Sequence, residues 1–77
     1  MKEFIEYIVK NLVDQPQTVT VHCIDDGVGV RVHVKVNSRE VGKVVGRKGA
    51  TIRAIRTIAQ TACARLGCKV RVDLVSE

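Results

Sequence analysis

Hydrophobic positions near the start of the chain recur at the spacing of a helix. Phe4, Ile5, Ile8, Val9, Leu12 and Val13 fall along one side of the helical wheel, so an amphipathic helix is predicted over 3–13. Asp14-Gln15-Pro16-Gln17 stops it. From Thr18 the period drops to two. Val19, Val21 and Cys23 share one side of a strand, and Asp25-Asp26-Gly27 offers the positive φ of a tight hairpin. The return strand alternates without a fault: Val28, Val30, Val32, Val34 and Val36 face inward, while Arg31, His33 and Lys35 face water. Such a strand has one buried and one wetted face.

Beyond it, Asn37 or Ser38 can cap a short helix carrying Val41, Val44 and Val45. Gly46-Arg47-Lys48-Gly49 then turns the chain into a longer helix over 50–66, closed by Gly67. On that helix Ile52, Ile55, Ala59, Ala62, Cys63 and Leu66 form the stripe expected against a sheet. Residues 69–75 alternate again, with Val70, Val72 and Leu74 inward. The order α-β-β-α-α-β, with every strand wetted on one side, predicts an α+β fold. It is a three-stranded mixed sheet with helices on one face, in one domain over 1–77. A helical crossover joins the second and third strands, which makes them parallel neighbours and leaves the first strand on the other side.

Charge sharpens this picture. The net charge of +5 conceals a segregation: residues 1–30 hold two lysines against five acids, whereas 31–71 hold eleven Lys/Arg against Glu40 alone. A concentrated basic segment is either a footprint for a polyanion or a solvated surface without a partner. With 45% hydrophobic residues and one proline the chain is expected to fold. No apolar run approaches the roughly 20 residues that span a bilayer, and Met1-Lys2-Glu3 leads into a helix pattern rather than a signal peptide. Cys23, Cys63 and Cys68 lack metal-ligand spacing and read as small buried apolar residues in a reducing compartment.

The chemistry concentrates at 46–49. A glycine at each end lets the backbone bend sharply and approach a ligand without a Cβ in the way. Amides at the bend and at the start of the following helix favour an anion, and Arg47 and Lys48 add two full charges. Flanking Val44, Val45 and Ile52 offer an apolar floor, so a sugar-phosphate chain with its bases suits the site better than one compact phosphate. Lys43 lies one turn before the bend. Arg53 and Arg56 lie within two turns after it, on one helix face, and either extend the clamp or merely solubilise the helix. Glu40 could pair with Lys43 or accept a hydrogen bond from a base.

Val-Val-Gly-x-x-Gly-x-x-Ile-x-x-Ile resembles the signature of KH domains, with Val45 where that family usually has isoleucine. The element order resembles the type II, bacterial variant, and the likeness runs over the whole chain. The resemblance implies a GxxG loop clamping about four nucleotides of single-stranded RNA. It implies Gly46, Arg47, Lys48, Gly49, Lys43, Val45, Ile52, Arg53 and Arg56 as RNA-binding positions. It also implies a cytoplasmic RNA chaperone or regulator, partnered by another KH-domain protein. A protein-interaction scaffold and a binder of single-stranded DNA through the same basic face stay open.

Competing motifs fail. Gly42-Lys43-Val44-Val45-Gly46 is one residue short of a P-loop, with Arg47 in place of its lysine. Phe4 and Tyr7, the aromatic residues, lie in the acidic first helix rather than on a sheet platform. His22 and His33 point outward and lack a third ligand, and no nucleophile–base arrangement is recognisable, so neither metal, cofactor nor enzymatic activity is expected. On the long helix Ala50, Ala54, Thr57, Thr61 and Ala64, with Ile58 at the edge, recur at the spacing of a helix–helix seam. Ala54, Thr57, Ile58 and Thr61 are therefore expected to form a homodimer interface or to pair with a similar KH helix.

Overall fold

The computed structural model describes residues 1–76. Helix α1 (Lys2–Leu12) buries Ile5 and Val9 and leaves Phe4 and Tyr7 in solvent. After a 3-10 turn at Pro16–Thr18, strands β1 (Thr20–Asp25) and β2 (Val30–Val36) form an antiparallel hairpin with Val21 opposite Val34 and Cys23 opposite Val32. At the turn, Asp26 Oδ1 accepts the amides of Gly29 and Val28 at 2.8 and 2.9 Å. These two bonds favour the ionised carboxylate and hold Asp26 below its ordinary carboxyl range.

A 3-10 turn (Ser38–Glu40), α2 (Val41–Val45), a further 3-10 turn (Arg47–Gly49) and α3 (Ala50–Arg65) make the crossover to β3 (Val70–Ser76). Strand β3 pairs parallel with β2, giving the order β1-β2-β3. The expected α+β topology is therefore the one observed. Helix α1 packs on β1 and α3 on β3. Val21, Val32, Val34, Val36, Val70 and Val72 meet Ile5, Val9, Val44, Ile52, Ile55 and Ala59 in one core.

Three expectations about that core are corrected. Burial on the inner sheet face falls off toward the hairpin, where Val32 is fully buried, Val30 half-buried and Cys23 exposed. Val28, expected inward on the strand, lies in the turn before β2 and is 80% exposed. Eleven residues of α1 span about 16 Å, against about 23 Å for seven of strand, so the helix leaves the hairpin end uncovered. The buried stripe of α3 is narrower than predicted, made of Ile52, Ile55, Ala59 and Cys63. Ala62 is exposed, and Leu66, beyond the last helical turn, is 82% exposed. Finally, Gly67 closes α3 as expected, its amide bonded to Ala64 O at 3.1 Å and that of Cys68 to Cys63 O at 3.1 Å. The reversal carries Cys68 back over Cys63, Cα–Cα 5.2 Å, and the two sulfurs are joined as a disulfide. Cys63 and Cys68 are thus a bridge rather than two isolated thiols, and Cys23 is a free thiol at the surface.

Candidate nucleic-acid interface

The bend at 46–49 is built by its neighbours. Asn37 Oδ1 accepts the Arg39 amide at 3.0 Å and starts the 3-10 turn that leads into α2. Val44, fully buried, anchors α2 to the core, and the Gly46 amide closes it on Gly42 O at 2.9 Å. Gly46 itself stands at φ 76°, ψ 176°, a region open essentially to glycine. A Cβ there would lie 2.2 Å from Thr51 Oγ1 and 2.7 Å from Thr51 Cβ. Lys48 follows in left-handed conformation at φ 55°, ψ 26°, a state that costs a non-glycine residue about 1–2 kcal/mol.

Helix α3 begins at Ala50 straight after the bend, and no side chain caps it. The Gly49 and Ala50 amides already donate to Gly46 O and Arg47 O within the bend, and the positive end of a sixteen-residue dipole lies there. Arg47 and Lys48 are exposed beside them, and neither enters an ion pair among the described residues. The bend thus brings together a left-handed lysine, the positive end of α3 and two cations outside any ion pair among the described residues.

Other predicted positions sit differently. Val45 is half-buried next to the bend, but Val44 and Ile52 belong to the core, so the apolar floor is narrower than three residues. Arg53 is exposed. Arg56 is half-buried, and its Nε donates to Val72 O on β3 at 3.0 Å, which fixes the side chain across the sheet edge. Lys43 pairs through Nζ with Asp14 Oδ2. Glu40 neither pairs with Lys43 nor faces a base. It is 6% exposed, and its Oε1 accepts the amides of Asp14 and Gln15 at 2.7 and 3.1 Å. Its Oε2 is buried without a partner among the described residues. Glu40 thus ties the end of α1 to the start of α2 and positions the helix that carries the bend. A lone acid inside a basic, valine-rich segment was the signal for this role.

Ala54, Thr57, Ile58 and Thr61 are all exposed on α3, Ile58 by 47%. The hydroxyls of Thr57 and Thr61 donate back to Arg53 O and Thr57 O, at 3.0 and 2.8 Å. On the sheet, His22 stands opposite His33, and His33 Nε2 lies 3.7 Å from Asp73 Oδ2. No group of three His, Cys, Asp or Glu among the described residues is placed to hold a metal ion. No described helix is long and apolar enough to cross a membrane.

Residues 2–74 match the family model for the KH domain of KhpA/KhpB. The chain belongs to the KhpA/KhpB KH-domain family. Two relatives named RNA-binding protein KhpA support the assignment over the whole length. That of Chlamydia pneumoniae is 35% identical and that of Chlamydia trachomatis 38%, each covering 100% of this chain and 99% of the relative. The KhpA of Halalkalibacterium halodurans is 35% identical over 97% of this chain. The family's KH domain accounts for the mixed three-stranded sheet and for the two short-linked helices that meet at residues 46–49.

Proposed function

We propose that this chain is a non-enzymatic RNA-binding protein that holds short single-stranded RNA at the Gly46-Arg47-Lys48-Gly49 loop. The observation that carries the reading is the positive end of α3 directly behind two exposed cations that enter no ion pair among the described residues. Loop amides and the Arg47 and Lys48 side chains take the phosphates. Gly46 and Gly49 keep the backbone bare at the point of contact, and Val45 contacts a base. Arg53 extends the positive track along α3, while Ile52 supports the groove from beneath. Arg56, fixed by Val72 O, presents its guanidinium at the sheet edge, and Lys43 contributes only by exchanging Asp14 for a phosphate. The names of the relatives support RNA as the ligand, and single-stranded DNA is the competing polyanion. Acting in the cytoplasm as an RNA chaperone or post-transcriptional regulator would follow from that binding.

Arg47→Asp with Lys48→Asp tests the clamp. Both positions are exposed, so the melt should hold, while affinity for a short RNA collapses and its salt slope falls by about 0.7 per lost phosphate contact. Unchanged affinity in a folded double variant refutes the assignment. A titration against matching DNA and duplex RNA completes the test, with the single RNA strand expected to bind best.

A homodimer, or a heteromer with the KH-domain protein KhpB, belongs to the same proposal. Thr57 and Thr61 turn their hydroxyls back on the helix backbone and leave methyl groups around the exposed Ile58. The surface is apolar, and its Ala54 lets a second helix approach closely.

A further inference from the structure

The solvent face of the sheet carries a second positive surface, and nothing in the loop reading uses it. Three rungs cross this face in register: Ile24–Arg31–Arg71, His22–His33–Asp73 and Thr20–Lys35–Val75. Asp73 is the one acid among these nine residues. It is already engaged by Arg71 Nε at 3.1 Å and approached by His33. Arg31 stands directly beside Arg71 on the neighbouring parallel strand, about 4.8 Å away in backbone terms. Like charges so placed destabilise a sheet. Arg31 forms no close ion pair among the described residues; the Asp26 carboxylate, which accepts the Val28 and Gly29 amides, attracts it only at longer range. An anion placed between the two arginines would relieve their repulsion further.

This face is also continuous with the loop side of the molecule. A shallow hollow of about 260 Å³ at the β3 edge is lined by Arg56 and Gln60 of α3 together with Val70, Arg71, Val72 and Asp73. Arg56 therefore reaches from the helix that leaves the bend to the strand that carries Arg71.

We propose that an RNA strand longer than the loop can hold passes over the β3 edge and lays its phosphates on Arg71 and Arg31 of the sheet face. This rests on the loop being an RNA clamp. No Phe, Tyr or Trp stands on this face, so the contact is made through phosphates rather than a stacking platform and is largely blind to sequence. A phosphate chain fits this surface better than an acidic protein, because the cations sit on a path that begins at the bend.

The test compares labelled oligouridylates of about five and about fifteen nucleotides, bracketing the roughly four that a KH loop holds. Wild type, Arg31→Gln/Arg71→Gln, Arg31→Glu/Arg71→Glu and Arg47→Asp/Lys48→Asp are titrated by fluorescence anisotropy, each variant first checked by its melt. Both sheet variants should leave the short oligomer unaffected. They should weaken the long one on the order of tenfold at 0.15 M salt, with a salt slope lower by about 1.4 for two contacts. The neutral pair guards against misfolding of the charge-reversed one, since it removes the repulsion without adding acids beside Asp73. Wild-type affinity for the long oligomer in either folded variant overturns the proposal, as does an equal loss at both lengths. If the loop variant binds both lengths normally, the clamp itself is wrong, and a sheet-variant loss would then mark the face as an independent site.

Discussion

Replacing Gly46 by alanine should damage the protein far more than the same change at Gly49, although the two glycines bracket one turn. At Gly46 two costs combine. The backbone, at φ 76° and ψ 176°, lies in a region that non-glycine residues occupy only at about 1–3 kcal/mol. The added Cβ would also stand 2.2 Å from Thr51 Oγ1, 2.7 Å from Thr51 Cβ and 2.9 Å from Thr51 N. Thr51 is part of the first turn of α3 and cannot retreat without shifting the helix, so overpacking adds about 1–3 kcal/mol. The sum, about 2–6 kcal/mol, is a large share of the roughly 4–12 kcal/mol expected of a domain this size. At Gly49 the left-handed conformation alone matters, about 1–2 kcal/mol, because the nearest atom to a new Cβ is Arg53 Nη1 at 3.7 Å. Urea unfolding followed by circular dichroism reads both. Combining Gly46→Ala with Thr51→Gly should recover part of the loss, since the side-chain clash disappears and the backbone cost remains. Equal destabilisation by the two alanines, or a Gly46→Ala effect under about 0.5 kcal/mol, would refute the steric reasoning.

Glu40→Ala strands the Asp14 and Gln15 amides and should cost about 1–3 kcal/mol in a urea melt, whereas Glu40→Gln, which keeps an acceptor, should cost less. Equal effects would show that the carboxylate charge, not the tie between α1 and α2, is what matters. Asp26 has its folded pKa depressed below the ordinary 3.8, so its contribution is present above that pH and disappears as pH falls through the folded value. The difference in Tm between wild type and Asp26→Ala should therefore be flat at neutral pH and shrink in acid; a difference that persists unchanged to about pH 2 contradicts this. Ile58→Asp should turn a dimer into a monomer in sedimentation at micromolar concentration and remove any concentration dependence of Tm. A wild type already monomeric there ends the dimer proposal.

What the chain's own pattern determined is local. The order of helices and strands, the hairpin at Asp25-Asp26-Gly27, the glycine closure of α3 and the basic bend at 46–49 all follow from periodicity and from φ preferences that act within a few residues. Even the parallel pairing of β2 and β3 follows, because a helical crossover leaves few alternatives. Tertiary structure decided everything that depends on two distant segments meeting. Glu40 is buried because it meets amides 26 and 25 residues away, and Lys43 is paired because Asp14, 29 residues away, arrives beside it. Arg56 turns to a strand carbonyl 16 residues on. Val28, Val44 and Cys23 look interchangeable as apolar positions, but Val44 is the buried anchor of α2, Val28 falls in the hairpin turn, and Cys23 sits at a sheet end that an eleven-residue helix is too short to cover. The Arg31–Arg71 juxtaposition is likewise a matter of register: side-chain alternation says which face a residue takes, but only the pairing of strands says who stands beside it.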